Sequence, residues 1–108
     1  MPIVLYNVPG RCGVSIAAET VARLASNQNV IGVKEAAGSV ERVSEILNLC
    51  DISVMCGDDS LTVPMMSVGA KGVISVASNI IPKEMKQLVD FCAVGDFKSA
   101  LAIHRRFY

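Results

Sequence analysis

The chain has 108 residues, with ten Lys+Arg, ten Asp+Glu and one His, so its formal net charge is +0 at pH 7; with no basic excess, composition gives no support to nucleic-acid binding. Hydrophobic residues make up 52% and aromatics only 5%, yet no apolar run approaches the roughly 18 residues that span a bilayer. The start, Met1-Pro2-Ile3-Val4, lacks the cationic character of a secretory signal, and a cytoplasmic location with no membrane partner is expected.

Most of the apolar content is Val, Ile, Leu and Ala, which suits buried parallel strands and the helices that cover them. Residues 2–6 read as a strand, closed by the loop Asn7-Val8-Pro9-Gly10. A helix is predicted over residues 17–27, with Val21 and Leu24 on one face and Ala25 beside them. Residues 29–33 form a second apolar run, and Ser39 stands where an N-cap would start a helix reaching Leu49, with Val40, Val43 and Leu47 on its face. A third strand over residues 52–56 ends at Gly57-Asp58-Asp59-Ser60, where the carboxylates suit capping of a short helix over residues 61–68. Pro64 is tolerable there only near the first turn. Residues 72–77 read as a fourth strand, and Pro82 opens a helix that places Met85, Leu88, Val89 and Cys92 on an apolar face. Gly95 stops that helix and Asp96 caps a last one, residues 97–108.

The remaining distinctive residues have structural readings. Cys12, Cys50, Cys56 and Cys92 are scattered without a CxxC pair, so buried reduced thiols are expected rather than a zinc site. His104 stands beside Arg105 and Arg106 with no second His and is expected on a helix surface, not as a metal ligand. Met65, Met66 and Met85 serve as core filler.

Strand–helix alternation with short loops requires parallel pairing through right-handed crossovers. Two α/β architectures meet that requirement: a small open doubly wound sheet, or half of a (β/α)8 barrel, whose closed form needs about 250 residues. In either one, chemistry belongs at the C-terminal ends of the strands. Lys34 lies at such an end, after Val30-Ile31-Gly32-Val33. Burial disfavours the ammonium form of a lysine, and a free amine attacks carbonyls to form a Schiff base; a solvated Lys34–Glu35 pair on an edge strand is the alternative. Tyr6 ends the first strand as Lys34 ends the second, so its phenol can exchange a proton with an intermediate on that amine, or it is a core tyrosine with a surface hydroxyl. Arg11, in the following loop, suits a carboxylate held above the strands or is simply solvated.

Taken together, Tyr6-Asn7-Val8-Pro9-Gly10-Arg11-Cys12-Gly13, Ile31-Gly32-Val33-Lys34-Glu35-Ala36-Ala37-Gly38, Gly57-Asp58-Asp59 and Gly72-Val73-Ile74-Ser75-Val76 resemble the second half of the dihydrodipicolinate synthase family, in its order and approximate spacing. The resemblance implies a partial (β/α)8 TIM barrel: strands five to eight and their helices over residues 1–95, then the start of the C-terminal helical region over residues 96–108. It implies that Lys34 forms an imine with pyruvate, that Tyr6 relays protons as the enamine adds to aspartate semialdehyde, and that Arg11 holds the semialdehyde carboxylate. Gly57 and Ile74 would line the pyruvate pocket. The product leads to diaminopimelate and lysine, and neither metal nor organic cofactor is required. Cys12 replaces the family's usual Thr. The family's first four strands, and a second relay tyrosine supplied by a neighbouring subunit of a homotetramer, have no counterpart here. A fragment with little activity in isolation is therefore expected, one that self-associates or joins the missing half to cover its strand edges. An aldolase resembling N-acetylneuraminate lyase is the nearest alternative, and a non-enzymatic flavodoxin-like binding module a more distant one.

Overall fold

A computed structural model describes residues 1–108. Strand β1 (Ile3–Asn7) is followed by helices α1 (Pro9–Cys12) and α2 (Ala18–Ala25), β2 (Val30–Glu35) by α3 (Glu41–Leu49), and β3 (Ser53–Cys56) by α4 (Thr62–Ser67). The short strand β4 (Gly72–Val73) leads into α5 (Pro82–Ala93) and α6 (Phe97–Phe107). All pairings are parallel, and the sheet order is β1-β2-β3-β4.

Side chains along a strand alternate between the two faces of the sheet, and here the faces differ. Val33, Val54 and Cys56 point to one side and are fully buried in a single core with Val21 of α2, Val43 and Ile46 of α3, Met65 of α4 and Leu88 of α5. On the other side Val4 and Tyr6 are 46% and 45% exposed, and Ser53 is exposed. A doubly wound sheet reverses its strand order at a switch point and takes helices on both faces. Sequential order with helices on one face is instead the arrangement of an arc of a (β/α) barrel, so the flavodoxin-like alternative does not describe this chain.

The helices form where apolar residues recur at helical spacing. Met85, Leu88 and Cys92 of α5 are buried, as are Val43 and Ile46 of α3, and full burial of a side chain such as Leu88 or Ile46 contributes about 1.5–3 kcal/mol. Met65, Met66 and Met85 are all in the interior. Leu24, expected beside Val21, is 41% exposed, so α2 is anchored through Ala18 and Val21.

Local hydrogen bonding produces the other departures from expectation. Residues 9–12, read as loop, make one helical turn because Pro9 lies at its start and Gly13, at φ 72°, closes it by donating its N–H to the Pro9 carbonyl. Ser39 makes no capping bond; α3 begins two residues later, after Val40. The fourth strand ends at Val73 rather than Ala77, opposite Cys56, the last residue of its partner β3. Two cysteines, Cys56 and Cys92, are buried, but Cys12 is exposed and Cys50 intermediate. Burial pushes the Cys50, Cys56 and Cys92 thiols up from their ordinary value. His104 lies on α6, partly covered by the Tyr108 ring 5.2 Å away. No helix is long and apolar enough to cross a membrane.

Asp96 caps α6 as its sequence position suggests. Its carboxylate accepts hydrogen bonds from the Ser99 backbone N–H at 3.0 Å and the Ser99 hydroxyl at 2.6 Å, and these bonds lower its pKa. A carboxyl whose folded-state pKa is depressed contributes stability above its unfolded-state value, about 3.9 for Asp, and that stability is lost as pH falls through the folded-state value. Circular-dichroism melts between pH 7 and pH 2 are therefore expected to show an acid-labile component that Asp96→Ala removes; an unchanged pH dependence in that variant would remove the cap from this account.

Candidate active site

The parallel register pairs Tyr6 with Lys34, bringing their side chains to the uncovered face near the C-terminal ends of two adjacent strands. The Lys34 Nζ lies over the Tyr6 ring, 4.2 Å from its centroid. Such a contact is worth about 0.5–1 kcal/mol when exposed, and it places the amine beside the aromatic face. The edge-strand alternative for Lys34 does not hold, because β2 is paired on both sides and the side chain of Glu35 points to the opposite, helix-covered face.

Gly57, just beyond β3, sits against the stem of Lys34. A Cβ there would lie 2.6 Å from Ala36 Cβ, 3.0 Å from the Glu35 carbonyl and 3.2 Å from Lys34 Cε. The residue is thus glycine for lack of space, and its N–H donates to the Glu35 carbonyl at 2.7 Å, holding β2 and β3 together past their regular ladder. Ile74 donates its N–H to the Cys56 carbonyl at 2.9 Å, and its side chain is 41% exposed. Arg11 lies in α1, above the end of β1; its guanidinium is exposed, with no carboxylate within ion-pair distance.

The acidic pair after β3 acts differently from the expected helix cap. One Asp59 carboxylate oxygen accepts the backbone N–H groups of Val76 and Ala77 at 3.0 and 2.9 Å, while the Thr62 hydroxyl donates to the Asp59 carbonyl. Asp58 makes no capping bond, and its carbonyl accepts from the Cys56 thiol. These bonds tie the start of the 3-10 turn Ala77–Asn79 to the end of β3 and so anchor the loop that carries Ile74.

A polar cluster beneath the rim went unread in the sequence. Asn7 and Glu35, in register at the ends of β1 and β2, are both fully buried on the helix side. The Asn7 amide donates to both Glu35 carboxylate oxygens, at 2.8 and 2.9 Å, and its own oxygen accepts the Ile16 N–H at 3.0 Å. The Ala37 N–H donates to Glu35 Oε1, and Arg42 Nε stands 3.8 Å from Oε2. Strand alternation was the available signal: the residues after Tyr6 and Lys34 must face the helices, where a polar side chain needs a partner.

No group of three or more His, Cys, Asp or Glu is arranged to hold a metal ion. A groove of about 290 Å³ runs beside β4, lined by Met55, Gly72, Val73, Met85 and Val89, and includes none of Tyr6, Arg11, Lys34, Gly57 or Ile74.

A parallel βα sheet with a lysine amine against a tyrosine ring at its C-terminal rim defines a module able to engage a carbonyl compound through that amine. The family model described as the dihydrodipicolinate synthetase family matches residues 1–108, and the chain belongs to that family. A 4-hydroxy-tetrahydrodipicolinate synthase of Geobacter metallireducens is 54% identical over 106 residues, covering 96% of this chain and 37% of that protein. The 4-hydroxy-tetrahydrodipicolinate synthase structure from Methylacidiphilum fumariolicum SolV superposes with a TM-score of 0.97 at 47% identity, over 100% of this chain and 37% of that one. The chloride-inhibited dihydrodipicolinate synthase of Acinetobacter baumannii, solved in complex with pyruvate, gives 0.92 at 36% identity, over 97% of this chain and 37% of that one. The chain thus spans about 37% of the length of the curated relatives and solved structures it matches.

Proposed function

We propose that residues 1–108 carry the imine-forming side of a lyase that condenses pyruvate with aspartate semialdehyde to 4-hydroxy-tetrahydrodipicolinate, on the route to diaminopimelate and lysine. The observation that carries this reading is the placement of the Lys34 amine against the Tyr6 ring at the open rim of the sheet, 4.2 Å from the centroid. In this reading the Lys34 amine attacks the ketone carbon of pyruvate, and the resulting carbinolamine loses water to form an imine. Removal of a methyl proton gives the enamine, which adds to the aldehyde carbon of the second substrate, and attack of that substrate's amino group on the imine carbon closes the ring and releases Lys34. Tyr6 relays the protons, Arg11 holds the semialdehyde carboxylate by charge-assisted hydrogen bonds, and Gly57 and Ile74 line the pyruvate subsite. The imine takes the place of a metal or organic cofactor.

Strand order 1-2-3-4 with one-sided helices suits strands five to eight of a (β/α)8 barrel. Residues 1–95 would then be four βα units and residues 96–108 the start of a C-terminal helical region. The exposed edges of β1 and β4 support self-association as part of the same reading. Since Tyr6 is 45% exposed on a face that no helix of this chain covers, the 108 residues alone are expected to capture pyruvate but to give little or no condensation turnover.

Incubation with pyruvate followed by borohydride reduction tests the assignment. One reduced pyruvate adduct, mapped by peptide mass spectrometry to Lys34, is the expected outcome; absence of any adduct at saturating pyruvate would defeat it.

A further inference from the structure

The residues behind the rim assign a role that the lyase reading does not itself supply. Asn7 and Glu35 follow Tyr6 and Lys34 directly and stand opposite one another in the parallel register. Because side chains alternate, Tyr6 and Lys34 meet on the open face while Asn7 and Glu35 meet on the buried one. A tie between the second pair therefore sets the separation of the first. The tie is extensive: the Asn7 amide bridges both Glu35 oxygens, the Ala36 N–H donates to the Asn7 carbonyl at 2.8 Å, and the Ala37 N–H donates to Glu35 Oε1 at 2.9 Å.

The same cluster closes the loop that carries Arg11. That loop leaves the sheet at Asn7 and returns at Ile16, whose N–H donates to Asn7 Oδ1 at 3.0 Å and whose carbonyl accepts from Arg42 Nη2 at 2.6 Å. Arg42 Nε, 3.8 Å from Glu35, makes no hydrogen bond of its own, and Nη1 pairs with Glu45. Arg42 is therefore a brace between the loop and the carboxylate.

The geometry points to Asn7 and Glu35 as positioning residues, a buried clamp that holds Tyr6 and Lys34 in contact and anchors the Arg11 loop. Its catalytic consequence rests on the lyase reading, whereas the clamp itself does not. Donor and acceptor roles leave the cluster no slack. An amide at position 35 places an N–H₂ against either the Asn7 amide or the Ala37 N–H, and flipping Asn7 to accept it would face its N–H₂ to the Ile16 N–H. Exchanging the two functional groups, in the double variant Asn7→Asp with Glu35→Gln, restores one donor–acceptor pair between the strands, keeps acceptors for the Ile16 and Ala37 N–H groups and preserves the net charge.

The test compares the wild-type 108-residue chain with Asn7→Asp, Glu35→Gln and the double variant, each well below its melting temperature. The Lys34 ε-methylene protons, on the carbon bonded to the Nζ that lies over the Tyr6 ring, report the contact by their ring-current shift and nuclear Overhauser effects. The expected result is contact in the wild type, its loss in each single variant and its return in the exchange. Borohydride capture of pyruvate is expected to fall about 10- to 100-fold in the single variants, the scale of an ångström-level misplacement, and to recover in the exchange. A residue that only stabilised the fold would change melting temperature and leave the contact intact. Contact absent from the wild type, or unchanged in both folded single variants, overturns the clamp. If the single variants do not fold, the exchange decides: a folded exchange variant with the contact supports the clamp, and one that lacks it or folds no better overturns it. A wild type that shows the contact but captures no pyruvate overturns the lyase reading and leaves the clamp standing.

Discussion

In Lys34→Arg, borohydride-dependent capture of pyruvate is expected to vanish while the fold persists. The guanidinium stays protonated at any ordinary pH and cannot form a stable imine, yet it keeps the positive charge and can stack on the Tyr6 ring that Nζ now contacts at 4.2 Å. The substitution thus separates the amine's chemistry from its electrostatics. Tyr6→Phe makes the complementary cut, keeping the ring and removing the phenol. If the hydroxyl relays protons, the rate of capture should fall by about 10²- to 10⁴-fold, the usual range for a positioned acid or base, with Lys34 remaining the modified residue. Peptide mapping and the time course of adduct formation read both effects. An undiminished adduct in Lys34→Arg, carried on another lysine, would take Lys34 out of the mechanism.

Gly57→Ala is expected to damage stability and site together. A methyl group there would lie 2.6 Å from Ala36 Cβ and 3.0 Å from the Glu35 carbonyl, inside van der Waals contact with groups attached to the end of β2. Neither neighbour is the free tip of a flexible side chain, so the ends of β2 and β3 must separate. That would stretch the 2.7 Å bond from the Gly57 N–H to the Glu35 carbonyl. Overpacking of this kind costs about 1–3 kcal/mol, a sizeable part of the roughly 5–15 kcal/mol that holds a domain folded. Lys34 Cε, 3.2 Å from the same methyl position, would be displaced as well, so capture should slow by about 10²-fold even where the protein remains folded. Thermal denaturation and capture kinetics at low temperature separate the two effects; a variant with wild-type values in both would show that the strand ends yield freely and that glycine is not required.

Much of this architecture was legible along the chain because the information is local. Val33 and Val54 announce strands, and Val43, Met85, Leu88 and Cys92 announce the covered faces of helices, through periodicities that any short window reveals. The positions of Tyr6 and Lys34 at consecutive strand ends likewise implied a shared rim, and the register pairs them. Asp96 was recognisable as a cap since its partner, Ser99, lies three residues on.

The features that escaped depend on partners distant in sequence. Asp59 reaches amides seventeen and eighteen residues away and anchors the turn that follows β4, and β4 itself stops at Val73, opposite the last residue of β3, although Ile74, Ser75 and Val76 carry strand-like character. Glu35, which could be read as solvated beside Lys34, is buried because Asn7, twenty-eight residues earlier, donates to both its oxygens. Which face of a sheet is covered, and which carboxylate finds a donor there, is settled only when the strands come into register. Alternating apolar residues and punctuating glycines and prolines were enough to specify parallel strand–helix units with a lysine and a tyrosine at one end. The reach of Asp59, the Asn7–Glu35 tie and the tight fit at Gly57 came only with the folded chain, since hydrogen bonding and steric exclusion act between atoms that folding brings together.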